Sequence, residues 1–167
     1  MILCYRFITI FFYPIIICVI YIRKFLNKED KKRFKEKIFS NYFFPLRRKK
    51  RKLIWFHAAS IGEVQSILPV ILRLNKEKNN LDFLITTVTL SSGNLINKKL
   101  VNYKNIYHRY FPVDVFFLVK KFLDIWSPDL VLFVDSEIWP NFILEIRKRK
   151  IKSVLINGRL AKKSFNR

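Results

Sequence analysis

The 167-residue sequence predicts an α/β fold, in which a Rossmann-like parallel sheet with flanking helices follows an apolar N-terminal helix. Two observations support this fold class. From residue 53 onward, short apolar runs rich in β-branched and aromatic residues alternate with longer segments of helical periodicity, which is typical of βαβ units. Hydrophobic residues make up 51% of the chain, so it has the apolar content for a core and is not a disordered basic tail.

The elements are predicted in chain order from these patterns. The first strand is predicted at 53–57, and Ser60 is the predicted N-cap of a helix over about 62–74. The other strands are predicted at 82–87, 105–110, 130–134 and 152–156. The other helices are predicted at 90–101, from the N-cap Asp114 to Pro128, and at 138–148, where Pro140 is tolerated in the first turn.

The N-terminus is apolar and is followed by a basic segment. Residues 1–22 carry Arg6 as their only charge. The apolar run after it, from Phe7 to Ile22, is short for a bilayer span of about 20 residues and contains Pro14, which would kink a helix. Residues 23–52 carry 14 lysines and arginines against three acidic residues, a balance typical of the cytoplasmic side of a membrane. We therefore expect a membrane anchor or interfacial helix over 1–22 and a basic juxtamembrane segment over 23–52. The alternative is a soluble protein whose N-terminal helix packs on its own body.

The formal net charge of +21 has more than one explanation. An AT-rich genome also produces a chain rich in lysine, asparagine and isoleucine. The basic run over 47–52 could bind phosphates, but it matches no nucleic-acid recognition motif. Beside an apolar segment, the anionic lipids of a membrane are the simpler partner, so we expect no nucleic-acid partner.

Ligands of open parallel sheets bind outside the carboxyl ends of the strands, so a binding site is expected in the loops there. These loops are predicted at 57–63, 86–93, 135–141 and 157–159, and all four lie on one edge of the predicted sheet. No GxxxxGK[ST] or GxGxxG motif is present, which excludes the common nucleotide-binding loops. Two histidines, with both cysteines in the apolar N-terminus, provide no metal cluster, so we expect no metal.

Glu63 is the first candidate catalytic residue. A carboxylate facing a substrate hydroxyl can act as a general base. However, Ser60 and Glu63 also have the spacing of a capping box, in which both side chains satisfy backbone N–H groups. Gly62 lets the backbone come close to a ligand, which favours a site. Both interpretations of Glu63 remain open from spacing alone.

The loop after the fourth strand carries two acids, Asp135 and Glu137. At this end of the strand, one of the two can face the cleft. Capping of the 138–148 helix, or its dipole, would explain them without chemistry. Arg159 could hold a phosphate or carboxylate, or be a solvated surface residue. His57 is expected to be a buried, hydrogen-bonded residue at the end of its strand.

Three short blocks at these loops resemble a known family. HAASIGEV at 57–64, VDSEIWPN at 134–141 and INGRLAKKS at 156–164 are together similar to the N-terminal half of bacterial 3-deoxy-D-manno-octulosonic acid (Kdo) transferases. The resemblance implies an inverting, metal-independent glycosyltransferase of the GT-B type, built from two Rossmann-like domains. It implies transfer of Kdo from CMP-Kdo to a lipid A precursor, in lipopolysaccharide biosynthesis, on the cytoplasmic face of the inner membrane.

The resemblance also assigns roles to residues. It implies that Glu63 is the general base, that Asp135 assists the transition state and that Glu137 supports it. The family usually has Glu where this chain has Asp135. We expect acceptor binding by residues 53–167, with contacts from four residues: Ser60, Gly62, Asn157 and Arg159.

The resemblance implies no cofactor, since CMP-Kdo is a donor substrate. It further implies that CMP-Kdo is held by a C-terminal domain outside these 167 residues, so the chain alone is expected to show little or no turnover. The alternative function is a non-catalytic, membrane-anchored basic module that binds anionic lipid or nucleic acid.

Overall fold

The computed structural model describes residues 1–43, 51–135 and 138–158. Within them lies a five-stranded sheet in the order β3-β2-β1-β4-β5, and all four neighbouring pairs are parallel. The strands are β1 (Lys52–His57), β2 (Leu81–Thr87), β3 (Ile106–Tyr110), β4 (Leu130–Val134) and β5 (Lys152–Ile156). The predicted α/β fold with a Rossmann-like parallel sheet is therefore confirmed.

Among the described residues, four α-helices flank the sheet and two precede it. They are α1 (Ile2–Phe11), α2 (Tyr13–Phe25), α3 (Ile61–Glu77), α4 (Leu90–Leu100), α5 (Phe116–Trp126) and α6 (Pro140–Lys148). Apolar residues of α3 and α4 pack in one buried cluster, and those of α5 and α6 pack in another with Trp55 of β1. The sheet thus separates two hydrophobic layers, as in doubly wound folds.

The strand order reverses direction at β1. From β1 the chain adds β2 and then β3 on one side, and then crosses to add β4 and β5 on the other side. His57, the last residue of β1, is paired with Thr86 of β2 and with Phe133 of β4. The loops that follow β1 and β4 therefore flank the switch point of the sheet, where doubly wound folds place their ligands.

The apolar N-terminus forms two helices rather than one. The axes of α1 and α2 differ by 51°, with Phe12 at the break and Pro14 in the first turn of α2, so the kink expected near Pro14 is present. Among the described residues, no single helix is long and apolar enough to cross a bilayer, although the bent pair passes that test together by length and composition. The membrane anchor stays a prediction.

One face of the bent pair packs on the body of the protein. The Arg6 guanidinium lies 3.4 Å from the Glu145 carboxylate of α6, and the Tyr13 ring packs edge-on against Phe117 of α5. The opposite face is apolar and exposed, with Leu3, Phe7, Phe11, Ile15, Val19 and Ile22 among its residues. The N-terminal helices therefore contact the body on one side and leave an apolar surface on the other.

The segment after α2 packs against β3 through two short 3₁₀ helices, Phe34–Lys37 and Ser40–Tyr42. The buried Glu36 carboxylate accepts hydrogen bonds from the Arg33 guanidinium, at 2.8 and 2.9 Å, and from the Tyr110 backbone N–H at 2.9 Å. Part of the basic segment is therefore folded and paired. Residues 47–50 of the predicted basic run lie outside the described residues.

The prediction that Asp114 caps α5 is wrong. The N-cap of α5 is Val115, which makes no side-chain capping bond. The Asp114 carboxylate instead accepts hydrogen bonds from the backbone N–H groups of Asn141 (3.0 Å) and Phe142 (3.1 Å), in the first turn of α6. The N-cap of α6 is Trp139, whose side chain makes no capping bond, so Asp114 supplies the acceptor from another part of the chain.

Candidate functional site

The first part of the candidate site is the turn that joins β1 to α3. Ser60 is the N-cap of α3, and its Oγ accepts the Glu63 N–H at 3.3 Å and donates to Glu63 Oε1 at 2.6 Å. The other carboxylate oxygen, Oε2, accepts the backbone N–H of Ala59 at 2.8 Å. The predicted capping interaction is present, although the returning bond ends on Ala59 rather than on the N–H of Ser60.

The Glu63 carboxylate can accept hydrogen bonds in addition to those that cap α3. Each oxygen accepts one hydrogen bond from the turn, and a carboxylate oxygen has two lone pairs, so both oxygens retain capacity for a further hydrogen bond. The two donors hold the carboxylate in one orientation at the half-buried start of α3. The geometry is therefore compatible with both interpretations, capping and proton acceptance.

Open space lies beside the first turn of α3. A Cβ added to Gly62 would meet no atom of the described structure within 4 Å. The turn is fixed from its other side, because Ser92 Oγ, in the first turn of α4, donates to the Ala59 carbonyl at 3.2 Å. A ligand group could thus approach the backbone at Gly62 without displacing protein.

His57 is a packing residue, as predicted. It is fully buried, its Nδ1 lies 2.9 Å from Thr86 Oγ1, and its ring stacks on Phe111 at 3.9 Å between centroids. Trp55 Nε1 also donates to Thr86 Oγ1, at 2.8 Å, which leaves the threonine hydroxyl free to donate to His57. This buried cluster packs around the end of β1, next to the turn that carries Glu63.

Asp135 and Asn157 occupy matching positions after β4 and β5. Both have left-handed backbone conformations, with φ of 60° and 56°, which Asp and Asn adopt more readily than most residues. The Asp135 N–H donates to the Ile156 carbonyl at 2.9 Å, so the two turns are joined. Glu137 and Arg159, the other two predicted site residues of these loops, lie outside the described residues.

The sheet thus brings the predicted residues to one edge in two groups. Ser60, Gly62 and Glu63 follow β1, while Asp135 and Asn157 follow β4 and β5. Because β1 and β4 are neighbours, the two groups flank the switch point. In the part of the chain that the structure describes, no group of three or more His, Cys, Asp or Glu residues could hold a metal ion.

Comparison with known proteins decides the family. The family model for 3-deoxy-D-manno-octulosonic-acid transferase (Kdo transferase) matches residues 31–167. This chain belongs to the Kdo transferase family. That finding confirms the resemblance carried by the three blocks at the carboxyl ends of β1, β4 and β5, and it places the chain in a family of glycosyltransferases.

Individual Kdo transferases agree with the family match. The chain is 37% identical over 161 residues to the 3-deoxy-D-manno-octulosonic acid transferase of Rickettsia bellii, covering 96% of this chain and 37% of that protein. It is 36% identical over 115 residues to a probable mitochondrial enzyme of that name from Arabidopsis thaliana, covering 69% and 25%. For the Haemophilus influenzae transferase the identity is 31% over 114 residues, covering 68% and 26%. The chain therefore spans about a quarter to just over a third of the length of these relatives.

Two buried charged groups near this edge of the Kdo transferase sheet were missed by sequence reasoning. Burial raises the pKa of Asp114, and the hydrogen bonds from Asn141, Tyr5 and Phe142 oppose that rise. Burial lowers the pKa of Lys37, while its pairing with Glu29 opposes that change. The one available signal was the absence of a capping side chain before Pro140, which shows that α6 needs an acceptor from elsewhere.

Proposed function

We propose that this chain is the acceptor-binding, N-terminal half of a GT-B glycosyltransferase that transfers Kdo from CMP-Kdo to a lipid A precursor, in lipopolysaccharide biosynthesis. The observation that carries the proposal is the position of Glu63. Its carboxylate is oriented by Ala59 and Ser60 beside the open space at Gly62, at the switch point where β1 and β4 are neighbours.

In the proposed reaction, Glu63 accepts the proton of an acceptor hydroxyl as the hydroxyl oxygen attacks the anomeric carbon of Kdo. The new carbon–oxygen bond forms as the bond from that carbon to the phosphate of CMP breaks, and CMP leaves with the electron pair. A positioned base of this kind contributes about 10²–10⁴-fold to the rate. Asp135, across the switch point, and Glu137 would stabilise the charge that develops in the transition state.

Acceptor binding is proposed for the residues around that base. Gly62 lets the acceptor approach the α3 backbone, and Asn157 offers an exposed amide at the neighbouring turn. Ser60 Oγ, which donates to Glu63 and accepts its N–H, retains one lone pair for a donor of the acceptor. Arg159, which lies in the third block, would pair with a phosphate of the lipid. CMP-Kdo would be held by a second Rossmann-like domain of the complete enzyme.

We also propose that α1 and α2 lie in the cytoplasmic interface of the inner membrane. Their inner face is packed on the protein, and their outer face is apolar and exposed. Exposed cations follow directly, among them Lys28, Lys31 and Lys32. An apolar face beside positive charge suits a membrane with anionic lipids, and it suits an acceptor that carries both phosphates and acyl chains.

A fusion tests this function. The chain would be joined to the part of the Rickettsia bellii transferase that follows its matched region, and Kdo transfer from CMP-Kdo to a lipid A precursor would be measured. We expect transfer by the fusion and none by the 167-residue chain alone. A fusion that unfolds cooperatively but transfers no Kdo, in an assay where the Rickettsia enzyme is active, would contradict the proposal and favour the non-catalytic lipid-binding module.

A further inference from the structure

A cavity of about 440 Å³ lies between α2 and the carboxyl edge of the sheet. We call it the α2 cavity, and its apolar walls are formed by Ile16, Ile20, Val88, Phe111, Val113 and Trp139. The volume is in the range of pockets that hold small ligands. Val88 follows β2, Phe111 follows β3 and Trp139 precedes α6, so the cavity is on the same edge of the sheet as Glu63.

The charged groups in the wall of the α2 cavity are already engaged. The Lys37 ammonium donates to the Glu29 carboxylate and, at 2.8 Å, to the Val88 carbonyl. Asp114 accepts hydrogen bonds from the Tyr5 hydroxyl and from two backbone N–H groups of α6. A phosphate or other polar ligand in the cavity would have to displace these partners, so what the walls offer a ligand is mainly apolar surface.

The surroundings of the cavity indicate where an apolar ligand would come from. Ile16 and Ile20 of α2 face the cavity, whereas Ile15 and Val19 on the same helix are exposed on its outer side. Arg23, also in the cavity wall, pairs with Glu29 at 2.7 Å and still has a side chain that is 45% exposed, and Lys24 lies beside it. One helix therefore separates the cavity from the surface proposed to contact the bilayer, with cations at its end that complement lipid phosphates.

We propose that the α2 cavity holds one acyl chain of the lipid acceptor, an inference that rests on the proposed function. An acyl chain would move from the bilayer into the cavity along α2 while the phosphorylated head group stays at the cationic end of that helix. The chain would thereby align the sugar hydroxyl with the edge of the sheet that carries Glu63. Holding the acceptor at a second point favours productive orientation.

The test uses cis-parinaric acid, a fatty acid that fluoresces in apolar sites, with the full chain in solution. We expect saturable binding by the natural chain and by the matched control Ile15→Trp. Ile16→Trp should weaken binding about tenfold or more, because its indole fills space that the acyl chain needs. Val88→Phe fills the cavity from the sheet side and replaces Ile16→Trp if that variant does not fold. Absence of saturable binding, or equal binding by a folded cavity-filling variant, would overturn the proposal.

Displacement identifies the source of the acyl chain. A lipid A precursor should displace cis-parinaric acid at concentrations at which phosphatidylglycerol does not, and equal displacement by both lipids would overturn the assignment to the acceptor. The two proposals fail separately. Kdo transfer by the fusion, without fatty-acid binding by the chain, would contradict the acyl-chain site alone. Selective displacement by the lipid A precursor, without Kdo transfer, would contradict the transferase function alone.

Discussion

The Tyr5 hydroxyl donates a hydrogen bond of 2.8 Å to the Asp114 carboxylate, which lies 109 residues further along the chain. The same carboxylate accepts the backbone N–H groups of Asn141 and Phe142 at the start of α6. The Asp114 side chain therefore contacts both the N-terminal helix α1 and the first turn of α6. The proposed membrane surface and the proposed site are joined through it.

The first prediction concerns this joint. Asp114→Ala should lower the free energy of unfolding by about 2–3 kcal/mol, because it leaves two backbone N–H groups of α6 without their acceptor. Tyr5→Phe removes one hydrogen bond and should lower it by about 1 kcal/mol. Urea unfolding followed by circular dichroism measures both values.

Asp124→Ala is the matched control for Asp114→Ala. It removes an ion pair with Arg149 in which the Asp124 side chain is half exposed, and it should change the stability by less than about 1 kcal/mol. Equal effects of Asp114→Ala and Asp124→Ala would show that the capping bonds to α6 contribute nothing beyond an exposed ion pair.

The second prediction concerns pH and His108. Burial, together with the positive charges of Arg33 and Arg109, lowers the pKa of His108 from 6.5 to about 3. Arg33 can only donate, so the His108 Nδ1 that lies 3.0 Å from it is the acceptor, and Nε2–H donates to Thr87 Oγ1 at 2.9 Å. A proton on Nδ1 would replace this hydrogen bond with repulsion between two positive charges.

The sign of the pH effect follows from this pKa. The unfolded chain takes up a proton on this histidine near pH 6.5, and the native chain does so only near pH 3, so acid favours unfolding within that window. This residue's contribution should decrease by up to about 1.4 kcal/mol per pH unit as the pH falls from 6.5 towards 3. The His108→Gln variant should show a smaller decrease across the window, and parallel curves for the two proteins would refute the assignment.

The third prediction compares two glycines at helix starts. In Gly93→Ala the new Cβ would lie 2.9 Å from Cζ of the buried Tyr110 ring, so the variant should lose about 1–3 kcal/mol of stability despite the better helix propensity of alanine. In Gly62→Ala the new Cβ meets nothing, so the stability should stay the same or rise by up to about 1 kcal/mol. Thermal unfolding of both variants gives the comparison, and a stable Gly93→Ala variant would contradict the packing at Tyr110.

Gly62→Ala also bears on function. If the acceptor approaches the backbone there, this folded variant should bind the lipid A precursor more weakly than the natural chain, as measured with vesicles that contain the precursor. Unchanged binding would place the acceptor elsewhere on the edge of the sheet.

Much of the fold was predictable because it depends on local patterns. The strands and helices from β1 to β5 were all predicted, with boundaries within three residues, since alternation and helical periodicity are properties of short windows. The Ser60–Glu63 interaction was also predictable, because its partners are three residues apart.

The rest depends on contacts that no local window contains. Asp114 lies just before α5 in the sequence. Nothing in the residues around it shows that its carboxylate accepts hydrogen bonds from residues 141 and 142. Pairing of Lys37 with Glu29 against the Val88 carbonyl depends likewise on how the segment after α2 packs on the sheet. Residues of α1 and α2 line the same cavity as both groups, so their surroundings depend on how the N-terminal helices pack on the sheet.

Kdo transfer by the fusion carrying Glu63→Gln, compared with the fusion carrying Glu77→Gln, decides whether Glu63 is the general base. Glu77 lies at the other end of α3, where it pairs with Arg73 on the surface. We expect Glu63→Gln to lower the transfer rate by about 10²-fold or more while it still unfolds cooperatively and binds vesicles, and Glu77→Gln to retain the rate of the unmodified fusion. Transfer by Glu63→Gln at the rate of Glu77→Gln would contradict the account and leave Glu63 as a helix cap.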